Sequence, residues 1–348
     1  MTAAAHQRTA PELASLAAEA EDALDPLQRI VDAHHHLYDR PTSRYLLEDM
    51  LADVSGSGHD VRSTVFVQAR AMLRASGPER MNPIGETEFA NGVAAMCASG
   101  AYGEARLCAA IVGAADLFLG DAVRPVLEAH IAAAGGSSSK GGRFRGIRHV
   151  VAWDRDASLL NPAYRTGEDM LESKQFRTGF RHLADLGLSF DAWLLFPQIP
   201  RLTALARAFP ETSIVLDHCG GVVRIGAYAQ RLDDGFLQWA AALRELASCP
   251  NVMVKIGGLG MPLSAFSLKP STQTPLSQQL SEQWRPWVQT CIDAFGTERC
   301  MFESNFPADK VGYSYGVGWN AMKRSVAEAS ADEKSDLFWR SASRFYRL

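Results

Sequence analysis

The sequence reads as an α/β protein built as one parallel (β/α)8 barrel, on three grounds. Eight short β-branched runs alternate with helical stretches along the chain. Polar residues collect where those runs end: His34 and His36, Gln68, Arg148, Asp191 or Trp193, His218, Lys255 and Asn305. A barrel brings the carboxyl ends of its strands to one mouth, whereas an open doubly wound sheet offers these residues no common site. Nor does any GxGxxG or phosphate loop follow the first run.

The first run, 29–33, leads into His34-His35-His36. Val and Ile favour a strand, and strand side chains alternate, so His34 and His36 share a face and His35 takes the other. Two imidazoles at a strand end have the spacing of metal ligands, and equally of a pair of catalytic bases. The bland alternative is a chance cluster on a solvated loop. By the same period Asp32 faces the barrel interior, with a supporting hydrogen bond as its role. A helix at 45–54 comes next, then strand two at 62–68, a helix at 86–98, strand three at 106–112 and a helix at 116–133. A Gly/Ser-rich turn at 135–142 precedes strand four, 144–151, and a helix at 171–185. Strand five spans 189–196, with a helix after Pro200. Strand six, 213–216, ends in Asp217-His218-Cys219-Gly220-Gly221. A helix at 231–247, strand seven at 251–256 and a helix at 282–295 lead to strand eight, 299–303. That strand runs into Ser304-Asn305-Phe306-Pro307, and helices at 318–329 and 332–345 close the chain. Two stretches stand outside the alternation: residues 1–27, with a surface helix at 11–24, and a Pro/Ser/Thr-rich insertion at 261–279. The barrel domain is residues 28–348.

Composition narrows the function. At 348 residues, one barrel accounts for the whole chain. A formal charge of −4 leaves no basic face for nucleic acid. Six cysteines without a CxxC pair suit reduced thiols and a cytoplasmic location. No apolar run approaches the roughly 20 residues that span a bilayer, and the N-terminus lacks the pattern of a secretory signal. The expected partner is a small-molecule substrate, not nucleic acid or membrane; a homo-oligomer stays open.

The order of His-x-His after strand one, Leu-Asp-His-Cys-Gly-Gly after strand six and Met-Phe-Glu-Ser-Asn-Phe-Pro at strand eight resembles the amidohydrolase superfamily. More narrowly it resembles the "amidohydrolase 2" branch, predicted metal-dependent hydrolases of the TIM-barrel fold. The stretches 146–150 (GIRHV) and 254–258 (VKIGG) also look like that branch, and the likeness covers roughly residues 28–345. It implies hydrolysis of a cyclic ester, such as the lactone of a small anionic organic acid or sugar acid. The branch has no uniform metal requirement. With a metal, His34, His36 and His218 plus a water make a four-coordinate site for one divalent ion, zinc or manganese. Without one, the same histidines serve a carbonyl as hydrogen-bond donors. The family usually carries an Asp after strand eight as the base that deprotonates water; here the matching residue is Asn305, which orients water but cannot take its proton. Glu303, on the same face, is either the replacement base or a buried partner of Lys255 or Arg148.

These readings make His34, His36, His218, Asn305 and Glu303 the candidate catalytic residues. Gln68, Arg70, Arg148, Trp193 and Lys255 are the candidate substrate-binding residues. Arg70 and Arg148 suit an anionic substrate group, or a rim salt bridge. Trp193 suits the wall of a ring-shaped substrate. His149 is expected to pack behind its strand, and His59, His130 and His182 to lie on the surface. Two further functions compete with lactone hydrolysis: a metal-dependent decarboxylase on the same barrel, and a non-catalytic binding protein in which Asn305 marks a lost base.

Overall fold

The computed structural model describes residues 21–138, 141–266 and 276–348. Most of the expected helix 11–24 and the centre of the insertion 261–279 lie outside them. Eight strands form one sheet in chain order: β1 (Arg29–His35), β2 (Asp60–Val67), β3 (Arg106–Gly113), β4 (Phe144–Ile147), β5 (Ser189–Ala192), β6 (Ile214–Leu216), β7 (Val252–Ile256) and β8 (Cys300–Phe302). Each neighbouring pair is parallel. The ends of the sheet meet where the His36 N–H donates to the Phe306 carbonyl (2.7 Å) and the Asn305 N–H donates to the His34 carbonyl (2.9 Å). The sheet is thus a nearly closed barrel, as the alternation of runs predicts.

Alternation along each strand makes two apolar layers. Val31, Ala33, Val65, Val67, Val112 and Met301 pack together inside the barrel with Tyr346. Residues on the other face, such as Phe66, Ile111 and Phe190, pack against the helices. Each fully buried aliphatic or aromatic side chain contributes about 1.5–3 kcal/mol. The last helix (Ser341–Tyr346) closes the barrel's amino end. Arg145, near the start of β4, donates to the carbonyls of Tyr346 and Arg347, which fixes that helix there.

Three expectations need correction. The pairing of β1 with β2 is irregular between Asp32 and His35. The period-two count therefore does not run through from Asp32 to His34. Val31 and Ala33 face the interior, and Asp32 turns to Tyr315 of the helical layer, whose hydroxyl donates to it (2.9 Å). The supporting role holds: Asp32 also accepts from the Ser304 N–H (2.8 Å) and hydroxyl (2.6 Å). His59, His130 and His182 are buried rather than on the surface. His130 stacks on Phe144 and bonds Thr87 and the Ala114 carbonyl, so its two nitrogens are satisfied and its ring packs as an apolar plate. Strands four and five stop at Ile147 and Ala192, short of the expected 151 and 196. Their next residues carry the site, although the Arg148 N–H still donates to the Gly113 carbonyl (2.9 Å) and the Trp193 carbonyl accepts from the Val151 N–H (3.0 Å).

All six cysteines are free and buried. Among the described residues no helix is long and apolar enough to cross a membrane.

Candidate active site

The strand ends deliver a buried cluster of imidazoles. The His34 ring lies 4.9 Å from that of His36 and 4.5 Å from that of His218, centre to centre. His36 Nδ1 sits 2.7 Å from the Val67 carbonyl, which can only accept, so Nδ1 carries the proton and Nε2 keeps its lone pair. His218 Nδ1 likewise faces Glu303 Oε1 at 2.6 Å, which leaves Nε2 uncommitted. Burial first, and the neighbouring Lys255 next, push His34 well below the usual histidine range; burial and Arg148 do the same to His36. Both rings are therefore neutral near pH 7.

His34 stands between two cations. Arg148 Nη1 is 3.2 Å from its Nε2, and Lys255 Nζ is 3.1 Å from its Nδ1. A neutral imidazole has a single acceptor nitrogen. Lys255 has carboxylates to serve, Asp191 at 2.7 Å and Asp217 at 3.1 Å, so the His34 lone pair falls to Arg148. Glu303 Oε2 lies 3.0 Å from His34 Nδ1, out of line for a hydrogen bond, and is buried without a hydrogen-bond partner. Burial pulls the Lys255 ammonium down, but Asp191, Asp217 and Glu303 outweigh it and hold the group above its usual value. Tyr346 reaches up from the closed end, and its hydroxyl donates to Asp191 Oδ2 (2.7 Å).

Glu303 is fully buried and lies between His34 and His218, within 3.0 Å of each, and its charge also acts on Lys255, to which Asp191 and Asp217 are bound more closely. Glycines make that approach. A Cβ on Gly257 would lie 2.4 Å from Glu303 Cγ, and one on Gly258, whose φ is +65°, would lie 2.5 Å from His218 Cβ. His218, Asn305 and Arg70 all adopt positive φ without being glycine. Backbone held in this region costs on the order of 1–3 kcal/mol per residue and gathers at functional sites.

Asn305 donates from Nδ2 to Asp309 Oδ1 (2.8 Å), while its own Oδ1 is buried without a partner. Asp309 also accepts from the Gly260 N–H (2.8 Å) and the Tyr313 hydroxyl (2.6 Å). Burial pushes Asp309 up to about 6 against those bonds. The Trp193 ring stands 4.8 Å from that of His218. A cavity of about 530 Å³ opens beside the cluster, bordered by Gln68 and Arg148 and with exposed Arg70 at its edge. Arg148 joins the two, since its Nη2 donates to the Gln68 carbonyl.

The donor chemistry of this cluster fits a divalent metal. His34, Asp217 and His218 each offer one ligand atom within 4.8 Å of the others. Both Asp217 oxygens lack a hydrogen-bond partner, although Lys255 is in ion-pair range. His36 Nε2 is uncommitted next to this set. Asp217 is the residue that sequence reasoning left without a role; its signal was its place beside His218 at a strand end. Asp309 and Tyr346 carried no such signal.

The Amidohydrolase family profile matches residues 31–348. The "Uncharacterized protein y4mH" of Sinorhizobium fredii is 32% identical over 92% of this chain and 98% of its own. An "L-fucono-1,5-lactonase" of Burkholderia multivorans is 28% identical over 60% of this chain and 64% of its own. A Burkholderia multivorans amidohydrolase solved with bound zinc aligns over 92% of this chain and 99% of its own, with TM-score 0.64 and 24% identity, which bears on the fold alone. Profile, relatives and barrel agree, and the chain belongs to the amidohydrolase family.

Proposed function

We propose that the protein opens a lactone, the cyclic ester of a small organic acid or sugar acid, by attack of water at the barrel mouth. The observation that carries the reading is the pair of uncommitted imidazole nitrogens, His36 Nε2 and His218 Nε2, gathered with the Asp217 carboxylate round His34, whose neighbour Arg148 borders the cavity. The lactonase-named relatives support it. In this reading a histidine Nε2 takes the proton of the attacking water, and Arg148 donates to the carbonyl oxygen as negative charge develops there. The ring C–O bond breaks, and the same imidazole returns its proton to the leaving oxygen. Glu303 holds His218 through Nδ1 and stabilises the ring while it is charged. Asn305 and Lys255 orient substrate and His34. A divalent cation, zinc or manganese, held by His36 Nε2, His218 Nε2 and Asp217, with His34 joining in place of its Arg148 contact, would supply Lewis acidity and make water more acidic. The test is a screen of aldonolactones and muconolactone-type esters with a pH indicator, with and without added zinc or manganese. Acid release proportional to enzyme is expected. Carbon dioxide as product would replace this reading with decarboxylation, and absence of turnover on any ring ester would end it.

A further inference from the structure

Three oxygens beside the cavity have no partner: Gln68 Oε1, Asn82 Oδ1 and Glu86 Oε2. Gln68 and Glu86 are each 1% exposed, so bulk water does not satisfy them. A buried acceptor left unmatched costs about 1–3 kcal/mol, and such groups are few in native proteins. Their grouping round one cavity points to a ligand that brings the donors. Glu86 is rigidly held, because its other oxygen accepts from the N–H groups of Ala69 (2.7 Å) and Ala71 (3.0 Å). Those bonds also fix the loop after Gln68. Arg70, Arg148 and Arg165 border the cavity together with Glu79, Glu86 and Asp116, a balanced lining that favours neither a cation nor an anion, and the Glu86 carboxyl opposes a bare carboxylate beside it. Neutral donors, hydroxyl groups, satisfy both conditions. Phe118, Tyr164 and Met170 on the same cavity suit the C–H faces of a saturated ring.

We infer that this side of the cavity reads the hydroxyl groups of a polyhydroxylated ring, with Gln68, Asn82 and Glu86 as the acceptors that determine specificity. The inference rests on the lactone reading for its chemistry but not for its binding. Arg148 ties the subsite to the histidines, since one guanidinium spans the Gln68 carbonyl and His34 Nε2. The substrate is then held by its hydroxyls on one side of Arg148 and reacts on the other.

The experiment compares six-membered aldonolactones of different hydroxyl configuration with δ-valerolactone, the same ring without hydroxyls. At least one aldonolactone is expected to exceed δ-valerolactone about 100-fold or more in kcat/KM, two to three hydrogen bonds at roughly tenfold each. At pH 8, where Glu86 is ionised, Glu86→Gln keeps the oxygen that binds the two backbone N–H groups and replaces the free acceptor with a donor. It is expected to raise KM for the preferred aldonolactone about tenfold while KM for δ-valerolactone stays within twofold. Asn82→Ala, at a half-buried position, is expected to do the same. Equal use of δ-valerolactone, or equal loss on both substrates in folded Glu86→Gln and Asn82→Ala, overturns the proposal. If no ring ester is opened, the hydrolytic reading fails alone, and calorimetry with 1,5-anhydroalditols, the same hydroxylated six-membered rings without the ester, decides the subsite. Saturable binding weakened tenfold in Asn82→Ala supports it, and no binding of any of these rings overturns it.

Discussion

Glu303→Gln is the most informative single change. The native carboxylate accepts from His218 twice, at Nδ1 (2.6 Å) and at the backbone N–H (3.0 Å), and its second oxygen lies 3.0 Å from His34 Nδ1. A glutamine oxygen can replace one carboxylate oxygen, but its NH2 must replace the other. If the amide oxygen faces His218, a neutral NH2 replaces the carboxylate oxygen 3.0 Å from His34 Nδ1, and the negative charge beside that ring is lost. If it faces His34, both His218 bonds are lost. Either way at least one charge-assisted contact disappears from a fully buried site, worth about 1.5–3 kcal/mol. Freed of Glu303, His34 can change tautomer and His218 can rotate. Losing a group that orients ligands or catalytic imidazoles costs about 10–100-fold, and we expect kcat/KM on a confirmed substrate to fall by that much or more. Zinc or manganese content per chain, measured by elemental analysis after equilibration, should fall with it. The melting temperature serves as the folding control. Activity and metal content within twofold of native in a folded Glu303→Gln protein would remove Glu303 from its assigned role of holding both imidazoles.

Other positions give sharper local tests. His218→Ala should abolish activity and leave the circular dichroism spectrum intact, because a strand-end imidazole at the mouth is not barrel packing; full activity would remove the histidine cluster from the mechanism. Asn305→Asp should do less harm than Glu303→Gln in steady-state kinetics, although it places a second carboxyl beside Asp309, and Asn305→Ala with unchanged kinetics would show that the position does no chemistry. Tyr346→Phe removes the hydroxyl that donates to Asp191, costs about 1–2 kcal/mol, and should lower the melting temperature by about 1–3 °C in a chain of this size; an unchanged melt would deny that the closed end supports Lys255. Burial, against bonds from Ala71 and Ala69, pushes Glu86 from 4.5 up to about 7. The native state therefore holds a proton that the unfolded chain releases, and stability falls as pH rises from 4.5 to 7. Each pH unit is worth about 1.4 kcal/mol, so about 3 kcal/mol in all. Denaturant titrations across that range should show the fall in the native protein and lose that share of it in Glu86→Gln.

The barrel and its candidate mouth were legible in the sequence alone. Strand runs are local: β-branched residues, period two and the polar break at each end lie within a few positions of one another, so Val31 and His34 or Val254 and Gly258 read correctly without a partner in view. Ends could also be misjudged locally, as at Arg148 and Trp193, where regular strand stops although single backbone bonds to the neighbouring segments continue. The resemblance added the order of the histidine motifs. Only the folded chain settles which residues meet. Asp32 meets Ser304, and His34 meets Glu303, through closure of the first strand on the eighth, about 270 positions on. Tyr346 reaches Asp191 because the last helix fills the barrel's amino end. Glu86 stands free beside Gln68 because a helix packs behind the second strand. A residue's chemistry is written in its own side chain, but its proton state and its partners depend on burial and on which distant strand lies next to it, and those are properties of the closed barrel.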